Sequence, residues 1–160
     1  MGFETAGLME QNDAMADQAT EHVTIDAPPQ RCWETALEFE RYPEWAKDLK
    51  RAVVLSRDGD DRPQEVEFTA AAMGRSTKYI LRYDYSGAPQ RLSWSLVEGD
   101  IMKALDGSYL FAPSATHPGA TDVTYDLSVE VVVPLPGFVK RRAEVRILHT
   151  LWELKARVEQ

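Results

Sequence analysis

Hydrophobic positions follow two different periods along this chain. From about residue 49 to residue 131 they alternate with polar positions, and after residue 136 they recur every three or four residues. The clearest alternation places Thr121, Val123, Tyr125, Leu127, Val129 and Val131 on one side, against Asp122, Thr124, Asp126, Ser128 and Glu130 on the other. A strand with this pattern has one buried and one wet face, as in an antiparallel sheet. The same period predicts strands at Ala52–Ser56, around Val66, Phe68, Ala70 and Ala72, and through Tyr79, Leu81, Tyr83 and Tyr85. Two more follow at Leu92, Trp94 and Leu96 and from Lys103 to Phe111, with Gly107 marking a bulge or a close approach. Turn formers separate them: Arg57-Asp-Gly-Asp-Asp-Arg, Met73-Gly-Arg-Ser, Gly87-Ala-Pro-Gln and Glu98-Gly-Asp. Connections this short join antiparallel neighbours.

The C-terminal pattern is helical. Val139, Ala143, Ile147, Leu151, Leu154 and Val158 form one stripe, which Leu148 and Trp152 are expected to widen. A helix of some 22 residues spans roughly 33 Å. Its apolar side needs a cover, which a coiled sheet can supply. Near the other end, Glu21–Asp26 alternates as a first strand, and Pro29 suits a first helical turn. A short helix is expected from Arg31 to Phe39, broken at Arg41-Tyr-Pro-Glu-Trp45, with a second helical turn around Glu44–Lys47. Residues 1–19 are polar, acidic and without pattern, and are expected to form a disordered tail before a single domain of residues 20–160.

Composition adds limits. The chain is 44% hydrophobic, enough for a core, yet no apolar run reaches the length of a membrane span. No secretory signal is legible at the N-terminus, and the one cysteine, Cys32, has no partner for a disulfide. Both point to a cytoplasmic protein. A formal net charge of −8 disfavours nucleic acid as a partner.

The order is strand, two short helices, six strands, long helix. Together with Val23-Thr-Ile-Asp-Ala-Pro-Pro, Tyr42-Pro-Glu-Trp45, Leu92-Ser-Trp-Ser-Leu, Leu105-Asp-Gly-Ser-Tyr109 and Pro134-Leu-Pro-Gly-Phe138, it resembles the START-like (SRPBCC, Bet v 1-like) superfamily. The branch it resembles is that of the polyketide cyclase/dehydrase and coenzyme-Q-binding proteins, over Thr20 to about Glu159. The resemblance implies an α+β helix-grip fold: a curved antiparallel sheet of about seven strands around a long C-terminal helix, with a hydrophobic cavity between. Its members bind lipids, quinones, hormones or polyketides, and some cyclise and dehydrate polyketides. Fold alone does not select among these.

The candidate ligand-binding residues are Trp45, Tyr79, Leu81, Tyr83, Trp94, Tyr109, Tyr125, Leu127, Phe138 and Trp152: an apolar lining with phenol groups as hydrogen-bond handles. Any one of them taken alone reads first as core packing, whereas the group, in the fold that the resemblance implies, suits a cavity lining. Chemistry beyond binding has little support. His22, His117 and His149 are too scattered for a metal site, Cys32 lacks a neighbouring base, and no Gly-x-Ser-x-Gly or phosphate loop occurs. No catalytic residue, metal or cofactor is expected. The strand acids Asp84, Asp122, Asp126 and Glu130 should point outward with Lys78 and Arg82, unless a register slip turns Arg82 or Arg75 inward. Lys140, Arg141 and Arg142 stand in the first helical turn, where the macrodipole disfavours cations. Either their stems are solvated, or they form a basic rim for transient membrane contact. Three functions follow: carrier of a hydrophobic small molecule, cofactor-free aromatase/cyclase, or protein-interaction module.

Overall fold

The alternating segments pair into one seven-stranded antiparallel sheet, in a computed structural model that describes residues 17–72, 74–132 and 136–160. The strands are β1 (Asp17–Ile25), β2 (Leu49–Arg57), β3 (Pro63–Ala72), β4 (Arg75–Asp84), β5 (Arg91–Gly99), β6 (Met102–Pro113) and β7 (Thr121–Val131). Their spatial order is β1-β7-β6-β5-β4-β3-β2. Helix α1 (Pro29–Ala36) and a 3₁₀ helix (Phe39–Glu44) link β1 to β2. The C-terminal helix runs in two segments, α2 (Gly137–Leu148) and α3 (Thr150–Val158), which meet at His149. His149 keeps right-handed helical angles, and its N–H donates to Val145 O at 3.0 Å, so the seam is a local break in a continuous path.

The expected helix-grip architecture is present, with differences at its edges. β1 begins at Asp17, so residues 17–19 pair with β7 instead of belonging to a tail; residues 1–16 lie outside the described residues. Met73 of the expected β3–β4 turn and residues 133–135 before the helix also lie outside them. The second helical turn comes earlier than Glu44–Lys47 and contains Pro43. Proline lacks an N–H, and the chain turns past it by giving Tyr42 O two donors, Trp45 N at 3.0 Å and Ala46 N at 2.7 Å.

The alternation of the strands sorts their faces. Val66, Phe68, Tyr79, Leu81, Tyr83, Leu92, Trp94, Tyr109, Val123, Tyr125 and Leu127 are buried on the concave side. The convex side carries a polar ladder between β1 and β7: Thr20 Oγ1 donates to Asp126 at 2.6 Å, and Thr24 Oγ1 to Asp122 at 2.8 Å. Arg82 is there too, its Nε donating to Glu65 Oε2 at 3.0 Å, and Arg75 is exposed. Arg75 is in step with Thr77 and Tyr79 but stands exposed at the start of β4, and neither arginine lines the concave side. Register shifts in the β2–β3, β4–β5 and β6–β7 pairs bend the sheet around its contents.

Gly107 is a close approach. A Cβ there would lie 2.6 Å from Asp126 O and 2.7 Å from Trp94 Cζ2. The bare backbone lets the indole lie across β6. Beyond this point the β5–β6 register stops, and Leu96 N–H donates to the Asp106 carboxylate at 3.0 Å.

The two helical segments are held differently. Leu151, Leu154 and Val158 of α3 are fully buried beside Cys32 and Ala36 of α1 and Ile25 of β1. Polar ties fix the same segment from several sides. Arg31 of α1 donates to Val158 O at 2.8 Å and Gln160 O at 2.9 Å, a cation on the helix C-terminus where the dipole favours it. Lys155 donates to Thr24 O at 2.8 Å, Glu159 accepts from Asp26 N at 2.7 Å, and Glu153 accepts from Lys47 N at 3.0 Å. By contrast α2 has no fully buried residue. Its inward positions overhang the sheet.

Gly107→Ala should therefore destabilise the protein by about 1–3 kcal/mol, because neither a backbone carbonyl nor a packed indole can give way freely. Urea unfolding of the two proteins measures this, and a near-UV circular dichroism change should accompany it as Trp94 is displaced.

Candidate functional site

The overhang leaves a cavity of about 560 Å³ between α2 and the concave face of the sheet. This lies within the usual range for sites that take small organic ligands. The floor comes from successive inward positions of β3 to β7: Phe68 and Ala70, then Tyr79, Leu81 and Tyr83, then Trp94, Leu105, Tyr109, Tyr125 and Val129. The roof is the inner stripe of α2, Val139, Ala143 and Ile147. Tyr42, Ala46 and Leu49 close one side. Exposed residues Ala71, Gly74, Arg142 and Arg146 also border the cavity, so it opens to solvent beside them.

Aromatic rings run across the floor as a band. Phe68 stacks on Tyr79 with centroids 5.5 Å apart, and Tyr83 lies 4.3 Å from Phe39 and 5.9 Å from Trp94. Trp94 meets Tyr109 at 5.3 Å and Tyr125 at 5.8 Å, and these two tyrosines are 4.7 Å apart. Such tilted pairs are each worth about 0.5–1.5 kcal/mol beyond area burial. They make the floor a stiff surface.

The hydroxyls of the band divide into two kinds. Tyr42 donates to Ala36 O at 2.6 Å, and Tyr85, beyond the band, donates to Pro63 O at 2.6 Å. Tyr79, Tyr83, Tyr109 and Tyr125 line the cavity, and no hydrogen bond joins their hydroxyls to any of the described residues. These oxygens are not sealed off: they open onto the cavity, where water or a ligand can supply a partner. Burial also pushes the pKa of all four above the ordinary phenol value, and neighbouring phenols add to the rise for Tyr83, Tyr109 and Tyr125, with Glu153 adding further for Tyr109. At neutral pH they are uncharged groups able to donate and accept.

The charged residues of the lining come from α2 and from the segment before β2. Arg146 of α2 grips Asp48, which precedes β2, through two bonds: Nε to Oδ2 at 3.1 Å and Nη2 to Oδ1 at 2.6 Å. Lys140, Arg142 and Glu144 also reach the cavity from α2. Cys32, on the inner side of α1, is fully buried away from this lining, and burial raises its thiol pKa, which keeps it an inert core group. Among the described residues no group of three or more His, Cys, Asp or Glu side chains is placed to hold a metal ion.

Of the ten residues singled out from the sequence, six meet at the cavity: Tyr79, Leu81, Tyr83, Trp94, Tyr109 and Tyr125. Leu127 is buried in the core without reaching the lining, and Trp45 packs on Tyr42 at 4.7 Å from outside it. Phe138 and Trp152 lie on the outer side of the helix, 62% and 44% exposed. The inner stripe at this end is narrower than expected, because Val139, Ala143 and Ile147 already fill the side facing the sheet. Lys140 differs from Arg141 in direction, since it borders the cavity. Tyr42, Phe68, Asp48 and Arg146 join the site without having been singled out by the sequence pattern. Phe68 shares the strand period with the tyrosines, whereas nothing local in the sequence pairs Asp48 with Arg146.

A coiled antiparallel sheet gripping a C-terminal helix, with an apolar chamber between them, defines a helix-grip protein, a fold typical of hydrophobic-ligand binding. Residues 16–159 match the model of one family within that class, described as polyketide cyclase/dehydrase and lipid transport, and the chain belongs to it. Among solved structures it is similar to a START superfamily protein from Mycobacterium smegmatis, with 28% identity and a TM-score of 0.81 over 89% of this chain and 97% of that one. It is also similar to a protein from Thermus thermophilus, at 22% identity and a TM-score of 0.71 over 89% and 97% of the two chains. The Zhui aromatase/cyclase from a Streptomyces species shares the fold at 12% identity, with a TM-score of 0.77 over 91% and 94%. No curated protein matches the sequence. No helix among the described residues is long and apolar enough to cross a membrane.

The tyrosines generate a pH prediction. An acid whose folded pKa is raised gives stability that is fully present below its unfolded value and is lost as pH rises toward the folded one. All six tyrosines are raised from 10.0. Phenolate absorbance should therefore stay low as pH passes 10 and then appear in one cooperative step together with loss of circular dichroism. Independent titration of several tyrosines near pH 10 in the folded protein would contradict the burial described.

Proposed function

We propose that this protein binds a hydrophobic small molecule, lipid, quinone or polyketide-like, in the chamber beneath α2 and serves as its carrier. The observation that carries this reading is the set of four cavity-facing tyrosine hydroxyls with no hydrogen bond to a described residue, set in a sheet floor that is mostly apolar and aromatic. A wall of this kind is complementary to a ligand with a large apolar body and a few neutral oxygen atoms. Such a ligand would supply hydrogen-bond partners that the protein wall does not give these hydroxyls.

An aromatase/cyclase would use the same chamber, and the family description includes that chemistry. The raised phenol pKa values remove these tyrosines as bases at neutral pH, so cyclisation would have to use another group of the lining, such as the Glu144 carboxylate, to take a proton.

Native mass spectrometry of protein purified from its own source should find one lipophilic molecule per chain. In parallel, the neutral fluorophore N-phenyl-1-naphthylamine should bind the emptied protein, and Ala143→Trp, which fills the roof, should raise its Kd by about tenfold or more, equivalent to about 1.4 kcal/mol. Protein that carries no lipophilic molecule and does not take up the fluorophore, or unchanged binding in a folded Ala143→Trp variant, would overturn the proposal.

A further inference from the structure

The outer face of the C-terminal helix is patterned as regularly as the inner one. Phe138, Val145 and Trp152 are spaced by seven residues, close to two helical turns, so they point the same way. They are 62%, 60% and 44% exposed. Arg141, Arg142 and His149 occupy the same side between them and are also exposed. The Arg142 guanidinium lies 5.9 Å from the Phe138 ring, which holds the cation beside the aromatic. Neither Arg141 nor Arg142 makes an ion pair with a described residue. The six side chains include no carboxylate, in a chain whose net charge is −8.

Three large apolar groups at one helical period, with two arginines among them, have no use in the grip, since the sheet is on the opposite side. An exposed Phe, Val and Trp with interspersed arginines is the pattern of a helix that lies in a membrane interface, its rings at headgroup depth and its cations on anionic lipid. We infer that this face docks on an anionic bilayer surface. The charge pattern selects that partner: the stripe is basic where the molecule is acidic, so it orients the protein toward a negative surface that repels the remainder. The location gives the docking a purpose, because α2 is also the chamber roof and Arg142 borders the opening. The inference rests on the outer face alone and stands or falls separately from chamber occupancy.

Vesicle flotation with the full chain, freed of ligand, tests it. The protein should float with vesicles of phosphatidylcholine and phosphatidylglycerol in equal amounts and stay behind with phosphatidylcholine alone. Binding should weaken with added salt. Trp emission should shift to the blue on binding, and Trp152→Phe should remove that shift. Arg141→Glu with Arg142→Glu should weaken partitioning by roughly thirtyfold or more, from about fivefold per cation near an anionic surface. Lys78→Glu with Lys103→Glu, on the convex face, changes net charge equally and should have a much smaller effect. Circular dichroism verifies that each variant is folded. No flotation of the wild type with the mixed vesicles, or equal losses in the two charge-reversed proteins, would overturn the inference. So would a dimer that Phe138→Ala and Val145→Ala dissolve while vesicle binding is absent, which would assign the face to a second copy.

Discussion

The architecture depends on how firmly α3 is seated. Leu151, Leu154 and Val158 are buried against α1 and β1, and hydrogen bonds of Arg31, Lys155, Glu153 and Glu159 fasten the same segment to α1, to the end of β1 and to Lys47 before β2. With that end fixed, the direction of the helix is fixed, and α2 must project over the sheet whether or not it finds anything to bury. The sheet coils away beneath it, so a chamber forms as a geometric consequence. Burial of one half of an apolar stripe thus holds the other half at a distance.

The floor of the chamber meets a different requirement. A cavity wall lacks packing partners on one side, and flexible side chains would collapse into it. The aromatic band resists this because each ring is braced by its neighbours, and Gly107 lets Trp94 lie close to the strand as the centre of the brace. The hydroxyls then stand at defined positions. Stiffness of the lining and availability of its polar groups come from the same residues.

Much of this is legible in the sequence, for reasons that can be named. The period of two assigns Tyr79, Leu81, Tyr83, Trp94, Tyr109 and Tyr125 to one face, because strand geometry alternates strictly and a sheet with one wet face leaves no ambiguity. The helical stripe is equally plain at Leu151, Leu154 and Val158. Phe138 and Trp152 read as inward from the sequence because hydrophobicity alone does not distinguish a buried aromatic from an exposed one. A helix with apolar groups on two sides has two faces to place, and its orientation is set by tertiary contacts. The Arg146–Asp48 pair joins residues 98 apart and leaves no local trace. The early start of β1 is hidden because Asp17, Gln18 and Ala19 have no apolar alternation; their pairing is given by the partner strand.

The seam at His149 separates two kinds of selective demand on one helix. Residues after it answer to folding, since they seat the helix, whereas residues before it answer mainly to what the chamber holds and what the outside meets. Substitutions can therefore accumulate in α2 with little penalty to the scaffold. A change in the first three turns that spares the last two would reshape the chamber while leaving the helix seated.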